Sequence, residues 1–369
     1  MAFITGLLLI DAPASALNNL GQDEGARTEN AVATKFIRTR LGALPYVSAQ
    51  AFRYWLRTTL EANSNTITNG QLHWKAAPVF REQKVAYTDG NPIEYWDDDL
   101  FGYMRAQSKR TGAAEARKAD QTRVSETPTA TEITRASPFR VSTLVSIALV
   151  QLVQDFGTMS RFEGNPVPHE HQFYRTVLKG LISLDLHAAG TFSYRQRTGF
   201  LNLDEHRRKI AEERRLLHLE QEQSYRLPHA ERTARVATLL RGLALLSGGA
   251  KQALHYTDVT PAVVLAMVTR GGNNPLQYVI VADNQGLPAA HTEALREMVE
   301  VWGDQILSPL YVGWVQGFHD AQRNRFLEAL EDLQRAGQLP HGYRTGHPRR
   351  VLEELAQQIE AQPEPGWLA

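Results

Sequence analysis

The stretch YVSAQAFRYWLR, Tyr46 to Arg57, separates into two faces when wound as a helix beginning at Ser48. At about 100° per residue, Phe52, Trp55, Leu56, Thr59 and Leu60 gather on one side. Gln50, Arg53 and Arg57 fall at i, i+3 and i+7 on the other. The first face suits packing on a sheet. The second offers amide and guanidinium donors of the kind that hold phosphate and sugar oxygens. Ser48 is the expected N-cap. No acidic residue occurs from Asn30 to Leu60, whereas Lys35, Arg38, Arg40, Arg53 and Arg57 do. A polyanion-facing edge is the sharper reading of this helix, and an ordinary solvated face is the alternative.

Composition narrows the surroundings. A chain of 369 residues with 43% hydrophobic residues can bury a substantial core. The absence of cysteine removes disulfide scaffolds and thiolate metal sites and suits a reducing compartment. MAFITGLLLIDAPASA lacks a basic leader, and Asp11 closes its apolar run early, so it reads as a buried first strand over Phe3 to Ile10. The apolar run from Val141 to Val153 is too short and too polar to span a bilayer, and a soluble, cytoplasmic protein is expected. Lys plus Arg equals Asp plus Glu at 40 each, which argues against coating nucleic acid with the whole surface but not against a local basic groove.

Along the chain, Asn18 to Asn30 reads as a polar loop and Ala33 to Arg40 as a hairpin strand. Asn63 to Asn91 reads as irregular, and Arg105 to Ala136, rich in charge and poor in large apolar residues, as a mobile arm. Strands are expected within Phe139 to Val153 and in Gln172 to Arg195, broken at Ala188 to Gly190. Helices are expected over Leu203 to Glu222, Ala230 to Leu246, Thr292 to Val301, Gln322 to Arg335 and Arg349 to Ala361. Further strands are expected at Ala262 to Val268, Gln277 to Val281 and Pro309 to Val315. The order lacks a steady βαβ rhythm, so an α+β sandwich with long insertions is favoured over a doubly wound sheet.

Four other features invite chemistry. Ser247-Gly248-Gly249-Ala250-Lys251 sets free backbone N–H groups beside an ammonium, although it also fits a helix C-cap and lacks Walker spacing. Asp97-Asp98-Asp99 could bind a divalent metal, or be a solvated turn on a loop. His169-Glu170-His171 resembles part of a metal site, but surface loop histidines are the plainer reading. In FSYRQRTGF, Phe192, Tyr194 and Phe200 interleave with Arg195 and Arg197, as in base-stacking strands or in a half-buried strand.

Six segments in order, NNLGQDEGARTEN, KFIR, YVSAQAFRYWLR, DDDLFGYM, RASPFRVS and SGGAKQALHYTDVTP, resemble the DevR family of CRISPR-associated RAMP proteins. That family supplies the repeated backbone subunit of type I Cascade complexes, and the chain looks closest to the type I-B branch. The resemblance runs from the first strand to Pro261, with no comparable pattern in the final hundred residues. It implies a single domain over residues 1–369 with a modified RRM-like (ferredoxin-like) palm. Residues 62–138 would be a finger or flexible insertion and 200–250 a helical insertion. Copies would stack head to tail on a guide RNA (crRNA), a thumb would flip bases out at intervals, and target DNA would pair with the guide beside other Cascade subunits. Asn18, Asn19 and Gln22 of the loop running to Gly25 would hold guide phosphates. So would Lys35 and Arg38, then Ser48, Gln50, Arg53 and Arg57 of the helix, then Arg140, Gly248, Gly249 and Lys251. The resemblance implies no cofactor, no metal and no catalytic residue, with Asp97 to Asp99 structural. The alternative is a metal-dependent RNA endonuclease of the RAMP superfamily that uses those aspartates.

Overall fold

The computed structural model describes residues 1–22, 31–67, 73–82, 85–106, 123–129, 131–159, 163–197 and 199–369. Strand β1 (Ala2–Ser15) leads into β2 (Asn19–Gln22), β3 (Ala31–Thr34) and the hairpin of β4 (Phe36–Arg38) and β5 (Ala43–Val47). Helix α1 (Ala49–Ala62), helix α2 (Trp96–Phe101), β6 (Phe139–Val141) and β7 (Leu144–Ser146) precede a second hairpin, β8 (Val153–Met159) with β9 (Val167–Asp185). Next come β10 (Thr191–Ser193), α3 (Glu205–Glu213), β11 (Leu217–Leu219), β12 (Ser224–Arg226) and α4 (His229–Ala244). The last part holds β13 (Val263–Arg270), α5 (Thr292–Trp302), β14 (Leu310–Trp314), α6 (Asp320–Arg335), β15 (Tyr343–Gly346) and α7 (Pro348–Glu360).

The main sheet runs β15-β14-β13-β1-β9-β7-β5-β4. Only the β14–β15 pair of that path is parallel, so the fold is α+β, as expected. Strand β1 lies between β9 (Leu8 opposite Gly180) and β13 (Leu7 opposite Leu265). Its side chains alternate between two cores. Ile4, Leu8 and Ile10 face Phe52 and Leu56 of α1, Val236 and Leu240 of α4, and Val351 and Leu352 of α7. Leu7 and Leu9 face Leu295 and Met298 of α5 and Phe326 and Leu330 of α6. A strand covered on both faces needs no polar alternation, which explains the unbroken run LLLI. Across the first core, Arg241 of α4 donates to Glu353 and Glu360 of α7, tying the last helix down.

Several boundaries depart from expectation. Strand β1 runs past Asp11 to Ser15, because Pro13 falls where the register with β9 shifts and costs no ladder bond. Asn19–Gln22 is strand rather than loop, and residues 23–30, including Gly25, lie outside the described residues. The helix expected to Glu222 stops at Glu213. Arg215 turns left-handed (φ 54°), and the chain then builds β11 and β12 against β10. Tertiary pairing there overrides the high helix propensity of EERRLLHLEQ. The stretch from Asn63 to Asn91, expected to be irregular, holds a short helix, Ser64–Ile67, and a hairpin of Val79–Glu82 with Val85–Thr88. The expected mobile arm is anchored at both ends. Arg105 is buried against Glu126, and Tyr103–Arg105 pairs with Ile133–Arg135, while residues 107–122 and 130 lie outside the described residues. Tyr343–Gly346, a polar edge strand, carried no apolar alternation to reveal it. No helix among the described residues is long and apolar enough to cross a membrane.

Candidate nucleic-acid interface

Helix α1 forms as its sequence requires. The Ser48 hydroxyl accepts from the Ala51 N–H at 3.3 Å, the first turn carries no acid, and Phe52, Trp55, Leu56, Thr59 and Leu60 are the buried residues. Its N-terminal end therefore keeps a positive dipole end free of carboxylate. On the polar face Gln50 is exposed, but the two arginines are not equivalent. Arg53 is half-buried. One Nη donates to the Phe139 carbonyl at 3.4 Å, its Nε finds no partner among the described residues, and burial and then Arg57 lower its pKa. Arg57 forms an ion pair with the buried Asp97 at 3.2 Å and lies over the Phe101 ring at 5.1 Å. It is the counter-charge of an interior carboxylate and not the freely presented donor of the expected stripe.

On the other flank, backbone hydrogen bonds knit three distant segments together. The Ala250 N–H donates to the Leu17 carbonyl at 3.0 Å, Lys35 N–H to Asn18 O at 2.9 Å, and Tyr46 N–H to Lys35 O at 3.1 Å. The Asn18 amide closes the set by donating to Tyr46 O at 3.3 Å, so Asn18 is a buried brace and not an open loop residue. The glycine turn rests on α1. Ser247 N–H donates to Thr59 Oγ1 at 3.0 Å, and a Cβ on Gly248 (φ +150°) would lie 2.4 Å from Trp55 Cγ. Helix α4 already ends at Ala244, so Gly248 and Gly249 shape a separate turn rather than the expected C-cap. That turn delivers Lys251 in a left-handed conformation (φ 53°), and partial burial lowers its pKa.

The structure thus brings Asn18, Lys35, Ser48, Gly248, Gly249 and Lys251 to one patch, with Arg53, Arg57 and Arg140 across α1. Lys35, Arg38, Arg140 and Lys251 make no ion pair among the described residues. Arg140 is exposed on β6 and lines a cleft of about 470 Å³ with Arg195 and Phe200. Arg38 is exposed on the edge strand β4, and Asn19 is exposed on β2, whose last residue is Gln22. Of the interleaved aromatics, Phe192 is buried beneath Arg135 and the Tyr194 hydroxyl hydrogen-bonds His218. Only Phe200, under the Arg197 guanidinium at 5.1 Å, keeps an exposed ring.

Asp97, Asp98 and Asp99 lie on α2, not on a loop, and all three are buried. Asp97 accepts from Ala77 N–H at 2.7 Å, and Asp98 from Asn91 N–H at 2.9 Å. Asp99 accepts from Arg135, from Arg235 at 2.8 Å and from Gly190 N–H at 3.0 Å. Burial, then the Asp97 charge, pushes Asp98 up to about 7. Asp97 is also raised, chiefly by burial. These carboxylates organise arginines and backbone. Among the described residues no group of three or more His, Asp or Glu side chains is arranged to hold a metal ion. The histidine pair of the sequence reading is likewise not on a surface loop, since both lie on β9 and His171 is buried.

Sequence reasoning passed over the β8–β9 hairpin. Residues 174–185 of β9 belong to the main sheet, but 167–173 continue outward and pair with β8. Strand β8 is exposed along most of its length, including Val153, Phe156 and Met159. The hairpin's strands, VQDFGTM and the outer VPHEHQF, are too polar and too broken by Gly157 and Pro168 to read as strands from their pattern alone.

No protein-family model matches the chain, and no curated protein matches it. Among solved structures, a chain of a CRISPR RNA-guided surveillance complex in a pre-nicking state aligns with a TM-score of 0.50 at 12% identity, over 97% of this chain and 100% of that one. A chain of another CRISPR RNA-guided surveillance complex aligns with a TM-score of 0.47 at 12% identity, over 96% and 99%. At such identity the first of these likenesses speaks to the fold alone.

Proposed function

We propose that this chain is a non-catalytic, guide-RNA-binding backbone subunit of a type I CRISPR surveillance complex, of the DevR type and nearest the I-B branch. It acts in the cytoplasm on an RRM-like palm. Copies polymerise head to tail along the crRNA beside other Cascade subunits and present the guide for pairing with target DNA. One observation carries the reading. Asn18, Lys35, the start of α1 and the Gly248–Lys251 turn meet through backbone hydrogen bonds, beside cations that make no ion pair among the described residues. Such a surface holds sugar and phosphate without reading bases, which is the need of a protein whose guide supplies the sequence. The shared fold supports the same reading. The protruding β8–β9 hairpin takes the part of the thumb, a better candidate than the anchored arm around residue 123.

Binding of a labelled single-stranded RNA, measured between 50 and 200 mM salt, tests this. Affinity should fall steeply with salt and be insensitive to base sequence. Lys251→Ala and Lys35→Ala should each flatten the log–log slope by about 0.7, the single-strand value for one phosphate contact. Absence of RNA binding at low salt would reject the proposal. Mg²⁺-dependent RNA cleavage abolished by Asp98→Asn would favour the endonuclease alternative.

A further inference from the structure

Beside the patch, four rings form a column that the reading above leaves unused. His169, His171 and Phe173 alternate along one face of β9, and His255 arrives from the loop after the glycine turn. The His169 and His171 rings stack at 5.9 Å, His255 meets His171 edge-on at 4.8 Å, and Phe173 stacks on His255 at 4.9 Å. The column is built rather than incidental. His169 lies over Gly157 of β8, where any Cβ would come within 2.7 Å of its Nε2. The loop is fastened from below by Ser15 and Thr257, whose hydroxyls are 2.6 Å apart.

Three ring nitrogens in this column are buried and find no hydrogen-bond partner among the described residues: His169 Nδ1, His171 Nδ1 and His255 Nε2. A buried ring nitrogen left without a partner gives up its hydration with nothing in return, which makes the cluster a place waiting for a partner. The surrounding charges decide which kind. Lys251, which makes no ion pair among the described residues, faces the column from the loop, and Asp155 of β8 takes His171 Nε2 at 3.4 Å, leaving the buried Nδ1 without a partner there. Glu170 lies between the two strand histidines in sequence and so on the opposite face of β9. Among the described residues the net charge around these nitrogens is therefore positive or neutral, and an anion fits.

We propose that His169, His171 and His255, with Lys251, form a site for a phosphodiester of single-stranded RNA that takes up a proton from solvent as the phosphate arrives. The phosphate meets the half-exposed rings of His169 and His255, and buried His171 stores charge behind them. In the free protein, burial, then Lys251 and His255, and lastly His169 hold His171 below the ordinary histidine value, against the opposing pull of Asp155. A phosphate neutralises Lys251 and so removes one of the charges that hold His171 down, which makes protonation and RNA binding reinforce each other.

This inference rests on the proposed RNA grip, and its test separates the two. Anisotropy of a labelled oligoribonucleotide is measured at pH 6 and pH 8 at one ionic strength, with EDTA present. Wild type should bind tighter at pH 6, by up to about tenfold, the ceiling for one unit of change on one imidazole. His171→Gln, and separately the half-exposed His255→Gln, should bring that ratio close to one. Arg140→Ala should weaken binding at both pH values by the same factor. RNA binding with no pH dependence, or with a pH dependence that both glutamine variants retain, would overturn this site and leave the grip standing. A pH dependence that appears only when Zn²⁺ is added and EDTA omitted would overturn it in favour of a metal. No RNA binding at either pH would overturn the grip itself, and the site with it.

Discussion

Removing the Arg57 guanidinium would leave Asp97 buried beside Asp98 with no counter-charge. Arg57→Ala should therefore destabilise the fold by about 2 kcal/mol, below the cost of breaking a fully buried pair because Arg57 is 28% exposed. Chemical denaturation of the single and double variants checks this, since Asp97→Asn should recover most of the loss made by Arg57→Ala. Asp98 predicts a pH effect. Its native pKa, raised to about 7, exceeds that of the unfolded chain, so the native state binds more protons between about pH 4 and 7. Its contribution to stability is complete below that window and is lost as pH rises through about 7. Asp98→Asn should shrink the drop in urea midpoint between pH 5 and pH 8, and an unchanged drop would remove Asp98 as its source. At Gly248 a single methyl would strike Trp55, and the backbone there is left-handed. Gly248→Ala should lower Tm and cost about 1–3 kcal/mol.

Among elements, α1 was the most legible because its period, its Ser48 cap and its packing all point the same way. The sequence placed Arg57 on the correct face but could not show what waits there, since Asp97 is 40 residues away and joins only in the fold. Likewise, His171 read as a loop residue and His255 drew no reading at all, because nothing local brings β9 beneath the loop after the glycine turn. The missed strands β2, β11 and β15 are short and sit where a sheet neighbour, not an apolar pattern, supplies the stabilisation. The β8–β9 hairpin carries its own prediction. Phe156 is exposed, so Phe156→Asp should change the urea midpoint little, within about 0.5 kcal/mol of stability. If the hairpin is the thumb of the proposed assembly, the change should nevertheless reduce the number of copies assembled on a long guide, which light scattering or native mass measurement would count.

For the whole molecule, a formal charge of zero means that the proposed RNA affinity would have to come from local placement of cations and not from bulk attraction. Affinity should accordingly respond to point changes at Lys35, Arg140 and Lys251 more than to shifts in overall charge made elsewhere on the surface. The burial of β1 on both sides has a different consequence, in time. Its second neighbour, β13, begins at Val263, so at about 5–20 residues per second the ribosome needs roughly 13–50 s to supply it. Throughout that interval the nascent chain carries the run Phe3 to Ile10 with one edge or both unpaired, a template that chaperones would have to shield. Slower elongation in the cold would lengthen the exposure.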